Sequence, residues 1–163
     1  MKDHNYTTLI TWTGNKGTGT SSLKSYERDL TMAVDGKPEI PGTSEVSIEG
    51  NKVRYNPEEL LQCAVSSCHM LSFLYLCAKN GVIVTAYIDR ATGTMHDTPE
   101  GSGHFTEIIL KPEITIAGII DEVKLAKLQH EANKICYIAN SCNFPVYHQP
   151  VYIPATGKIS SVL

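Results

Sequence analysis

The sequence predicts an α+β fold, and three observations predict it. A run from Asn56 to Gly81 reads as one long helix. Segments rich in β-branched residues, of strand length and punctuated by glycine and proline, lie on both sides of it. A second helical pattern opens near Asp121. At 163 residues, 42% hydrophobic and 19% charged, the chain has the composition of one ordinary globular domain, 1–163, large enough to bury a core.

The first fifty residues read as short strands and turns. "TTLITWTG" alternates loosely, "GNKGTGTSS" is a loop, and "DLTMAV" enters a turn supplied by Asp35-Gly36 and Pro41-Gly42. The helix that follows has complete end signals. Asn56 suits the N-cap, Pro57 the first helical position, and Glu58 and Glu59 the positive end of the dipole. Lys79, Asn80 and Gly81 form a stop. Its sides are apolar nearly all round, which predicts burial on every face and a second subunit to complete it.

"VIVTAYIDRATGTM" reads as a strand followed by the polar loop "HDTPEGSGH". "HFTEIILKPEITIAG" gives one or two strands broken at Pro112. The second helix is expected through "DEVKLAKLQHEANKICYIANS", with Val123, Leu128, Ala132 and Ile135 inward. "FPVYHQPVYIP" closes the chain as an edge strand.

Several functions are excluded at this stage. A net charge of -3 without a basic stripe offers no footprint for nucleic acid or an anionic membrane. No N-terminal apolar run marks a signal peptide, and Ser66, Ser67, His69 and Ser72 interrupt the best membrane-spanning candidate. Five cysteines without a secretion signal argue against a disulfide scaffold and for a reducing cytoplasm.

The first helix nevertheless carries Cys63, Cys68 and Cys77. At ~1.5 Å per residue, Cys63 and Cys68 stand about 7.5 Å apart along the axis and Cys68 and Cys77 about 13.5 Å, so helix-mates cannot form a disulfide. No spacing suits a metal; Cys68 and His69 diverge by about 100° on a helix. The plain reading of a buried thiol is core filler. A reactive one needs a cation or a helix N-terminus, and Cys68 is far from its own. The cation must then come from Arg28, Arg54 or Arg90.

Here the residues resemble a known family. "NPEELLQCAVSSCHML" and "ANKICYIANS" are similar to the OsmC/Ohr proteins, which are osmotically inducible or confer resistance to organic hydroperoxides. That family's helix start, N-P-E-[EQ]-L, precedes a reactive cysteine by the spacing that separates Glu58 from Cys68. A second cysteine lies in a later helix, where this chain has Cys136. "GSGHFTEIILKPEITI" also looks like the family's middle region, so the likeness extends roughly from 26 to 150.

The resemblance implies an intertwined homodimer with antiparallel sheets wrapped around long central helices. It also implies a thiol peroxidase for organic hydroperoxides, needing neither metal nor organic cofactor. Cys68 would attack, Cys136 would resolve, and an external dithiol would reduce the disulfide. The family's arginine stabilises the thiolate and its glutamate orients the guanidinium. Glu58 carries over directly, and Arg28 is the arginine chosen, with Arg54 its rival. About 15 Å of helix separates Glu58 from Cys68, so either the arginine spans the gap or Glu58 serves the other subunit.

The chain also departs from the family. Asn133 stands where histidine is common and Tyr137 where proline is frequent. These changes bear on resolution more than on attack, and they support the alternative of a redox sensor or apolar small-molecule binder that keeps the fold. Cys63 and Cys77 are read as core filler and Cys142 as a bystander. His69 is assigned to packing or a hydrogen bond rather than base catalysis. Met70, Phe73 and Tyr75 are core, or one face of a pocket for an alkyl group.

Overall fold

A computed structural model describes residues 3–155. The chain falls into two compact units, Met1–Leu61 and Gln62–Leu163. The boundary lies within the first turns of the long helix.

The first unit carries an antiparallel sheet of β1 (Leu9–Trp12), β2 (Leu30–Ala33) and β3 (Ile40–Gly42), with β2 central. Leu30 lies opposite both Trp12 and Gly42. A Cβ at Gly42 would stand 2.6 Å from Leu30 Cδ1, so the Leu30 side chain would have to shift to admit one. This unit buries little. Thr43 is its one buried side chain among the described residues, while Leu9 is 63% exposed, with Ile10 and Trp12 open beside it.

Helix α1 (Pro57–Lys79) begins as predicted. Glu59 N–H donates to Asn56 Oδ1 at 2.7 Å, and Asn56 N–H donates to Glu59 Oε2 at 3.1 Å, a reciprocal cap. Gly81, at φ +68°, ends it as Val82 N–H bonds back to Cys77 C=O. All-round burial is not met in the single chain. Only Val65, His69, Phe73 and Cys77, spaced every fourth residue, are buried, and Leu71 and Tyr75 are 62% and 59% exposed. One stripe is enough to dock the helix, and among the described residues nothing covers Leu71 and Tyr75. The membrane expectation also needs correction. By length and composition α1 could cross a bilayer, because its serines are outweighed by apolar residues.

The second unit holds two further sheets. In one, β4 (Ile83–Asp89) runs antiparallel to β7 (Pro112–Ala117), which pairs in parallel with β9 (Val151–Pro154). In the other, β5 (Thr92–Asp97) is antiparallel to β6 (Gly103–Leu110), which is parallel to β8 (Val146–His148). Pro112, lacking an N–H, opens β7, so β6 and β7 part at Lys111 and enter different sheets. The C-terminal stretch likewise divides. Gln149 N–H bonds Leu110 C=O and Pro150 has none to give, so one expected edge strand becomes two.

Helix α2 (Glu122–Ile135) is capped by Asp121, whose carboxylate accepts from Lys124 N–H. Its buried face is Leu125, Leu128, Gln129 and Ala132, not the expected set. Val123 is 84% exposed in the first turn and Ile135 is exposed in the last. The helix does not continue through "CYIANS". It stops at Cys136, whose extended backbone (φ -76°, ψ 104°) starts the short α3 (Tyr137–Asn140).

Two apolar clusters fill this unit. Phe73 and Cys77 of α1 pack with Ile114, Ile116, Leu125, Leu128 and Ala132. Val65 packs with Phe105, Ile108 and Leu110, flanked by Ile138, Cys142 and Phe144. His69 falls between Val65 and Phe73 on the same stripe.

Candidate thiol site

Helices α1 and α2 run antiparallel along their shared seam. Lys124 Nζ donates to Asn80 C=O at one end, His69 meets Gln129 further along, and Cys136 reaches Cys68 at the other. The structure therefore brings together two cysteines 68 residues apart in sequence, both unoxidised.

Their surroundings differ. Cys68 is half-buried and Cys136 has no exposed surface. Burial, and then the neighbouring Cys68 thiol, push Cys136 up to about 11. The break between α2 and α3 acts the other way, since the Cys136 sulfur accepts from Ala139 N–H at 3.5 Å and partly supports the anion. Cys136 is thus a thiol without solvent access, facing one that is partly accessible.

The remaining cysteines are sorted by the fold. Cys77 is core, its thiol raised to about 11 by burial. Cys63, expected in the core, is exposed on the side of α1 away from the buried stripe. Cys142 is half-buried and donates to Ile138 C=O.

The charged residues belong to the first unit. Arg28 pairs with Glu49 at 2.9 Å, donates to the carbonyls of Leu23 and Tyr26, and stacks 4.2 Å from the Tyr26 ring centroid. Arg54 pairs with Asp29 at 3.0 Å. Neither pairs with Glu58, whose Oε2 is buried without a hydrogen-bond partner. The same unit has an apolar hollow of about 350 Å³, walled by Leu30, Met32, Tyr55, Pro57 and Leu60. Phe73, read from the sequence as core or one face of a pocket, is core and wholly buried.

A buried polar cluster beside the thiols was not visible in the sequence. His69 and Gln129 bond at 2.7 Å, and the His148 ring lies 4.1 Å from that of His69. Tyr152 approaches Gln129 and Tyr87. Desolvation lowers both histidines, His148 to about 4. The available signal was Gln129, a polar residue on the apolar face that Leu125, Leu128 and Ala132 define.

Comparison with known proteins identifies the family and the fold. The OsmC-like protein family matches residues 49–149. An OsmC-like protein of unknown function from Vibrio cholerae superposes with a TM-score of 0.82 at 28% identity, covering 91% of this chain and all of that one. An organic hydroperoxide resistance protein from Elizabethkingia anophelis gives 0.66 at 18% identity, covering 93% and 100%. A Legionella pneumophila protein described as an organic hydroperoxide resistance protein OsmC gives 0.66 at 15%, covering 92% and 98%. No curated protein matches the sequence.

Proposed function

The chain belongs to the OsmC-like protein family and has its fold, and from the paired thiols we propose that it is a thiol-dependent reductase of organic hydroperoxides. One observation carries the reading. A half-buried Cys68 adjoins a fully buried Cys136. The two positions call for different roles, attack at the accessible sulfur and resolution at the protected one.

In this reading the Cys68 thiolate attacks the distal oxygen of ROOH. An S–O bond forms, the O–O bond breaks, and the departing alkoxide takes a proton to leave as ROH. Cys68 becomes a sulfenic acid. Cys136 then attacks that sulfur, an S–S bond forms, and the hydroxyl leaves as water with the Cys136 proton. An external dithiol supplies two electrons, becomes a disulfide, and returns both cysteines to thiols. The high proton affinity of Cys136 suits this order, keeping it inactive until a sulfenic acid forms beside it.

The orphaned Glu58 oxygen supports a guanidinium partner for that carboxylate. We assign this role to Arg28 within a homodimer, for which the uncovered Leu71 and Tyr75 provide apolar surface. The apolar hollow favours an alkyl over a purely inorganic peroxide. A cytoplasmic setting would keep both thiols reduced between turnovers.

The sensor or binding alternative has one observation in its favour. Arg28 is already committed to Glu49, two carbonyls and a ring. Mass spectrometry after one equivalent of cumene hydroperoxide, with thiols blocked before digestion, separates the readings. A rapid Cys68–Cys136 disulfide is expected. A Cys68 that remains a free thiol would sink the reductase reading.

A further inference from the structure

The seam between α1 and α2 is largely apolar. Phe73 and Cys77 meet Leu125, Leu128 and Ala132 there, and such side chains tolerate repacking. A slip of one helical turn, about 5.4 Å, would carry Cys68 away from Cys136. Something directional must hold the register if the two sulfurs are to meet.

The seam has a directional contact next to the thiols. His69 Nε2 and Gln129 Oε1 stand 2.7 Å apart, and both side chains are buried. The amide oxygen accepts when His69 carries its hydrogen on Nε2. The His148 ring, 4.1 Å away and tilted by 34°, backs the imidazole from β8. Slipping the helices would leave both buried groups without partners, which an apolar seam cannot repair.

We propose that His69 and Gln129 are positioning residues, whose buried hydrogen bond sets the register of α1 on α2 and so holds Cys68 against Cys136. The inference rests on reading these cysteines as a redox couple. His69 is thereby given a task that its adjacency to Cys68 conceals, since it points into the seam and acts through Gln129.

The test needs no hydroperoxide. The protein is equilibrated with mixtures of reduced and oxidised glutathione, and the Cys68–Cys136 disulfide is quantified by mass spectrometry. Gln129→Met, close in volume but unable to accept, should lower the disulfide formation constant about tenfold or more, since small misplacements of reacting groups are costly. Gln129→Glu, which retains an acceptor, should recover most of it. Leu128→Ala is the packing control on the same seam and should destabilise the fold with far less effect on that constant.

A folded Gln129→Met protein with a wild-type constant overturns the inference. So does a loss in Leu128→Ala equal to that in Gln129→Met, which would make the effect one of seam stability. If Gln129→Met does not fold, His69→Gln decides, because its amide can donate from the Nε2 position. A near wild-type constant supports the positioning role, and a loss as large as that expected for Gln129→Met overturns it. A wild-type protein that forms no such disulfide at any glutathione ratio removes the redox couple itself, whereas failure with hydroperoxide alone removes only the reductase reading.

Discussion

The two units of this chain solve different problems. In Gln62–Leu163 a helix stripe, two sheets and α2 enclose two apolar clusters, and the cysteine pair is assembled at their margin. In Met1–Leu61 a three-stranded sheet buries almost no side chain, and Leu9, Ile10 and Trp12 stay open. That unit carries Arg28, Arg54 and Glu58, with an orphaned carboxylate oxygen. The contrast teaches that the cysteine pair follows from one chain's core, whereas Arg28, Arg54 and Glu58 stand on the part that one chain leaves least buried.

The sharpest way to break the contrast is to remove each thiol. Cys68→Ser should abolish hydroperoxide consumption, a loss of at least ~1,000-fold for a covalent nucleophile. Cys136→Ser should consume about one equivalent and then stall as sulfenic acid, which dimedone labelling detects. Equal loss in both, with no labelled Cys68 in the second, would contradict the division of roles.

The charged residues are tested more gently. Arg28→Lys keeps a cation but cannot keep three hydrogen-bond partners and the stack on Tyr26. We expect it to slow Cys68 alkylation and peroxidase turnover by about 10- to 100-fold if its guanidinium stabilises the thiolate. Arg54→Lys should change either rate by less than about threefold, since a lysine can keep a pairing with Asp29. The reverse ranking would assign the role to Arg54.

Sequence legibility divides along the same line. The ends of α1 could be read because Asn56, Glu59 and Gly81 act within a few residues of where they stand. The pairing of Cys68 with Cys136 came only from family likeness, since no local rule brings residues on two helices together. The break at Cys136 was hidden because the helical pattern on both sides continues through it, and the interruption rests on one residue's extended backbone and its own sulfur. The buried face of α2 was misjudged for a related reason. Val123 is apolar but lies at the helix entrance, while Gln129 is polar but its amide oxygen is paired with His69. Burial followed partnership there rather than hydropathy.

The smallest effect expected concerns the histidines beside the thiols. In the unfolded chain a histidine binds its proton near pH 6.5, whereas desolvation and the adjoining His69 hold His148 near 4 in the fold. His69 is lowered as well, chiefly by desolvation, with Gln129 and Asp89 opposing. Between these values the unfolded state binds protons that the folded state refuses. Stability is therefore whole above about pH 6.5 and declines as pH falls towards 4. Urea midpoints measured at intervals from pH 7.5 to 4.5 should fall across that window. His148→Phe, which keeps a ring against His69 without a titrating nitrogen, should flatten part of the decline. Wild type and variant falling in parallel would place the acid sensitivity elsewhere, in the carboxylates and outside this core.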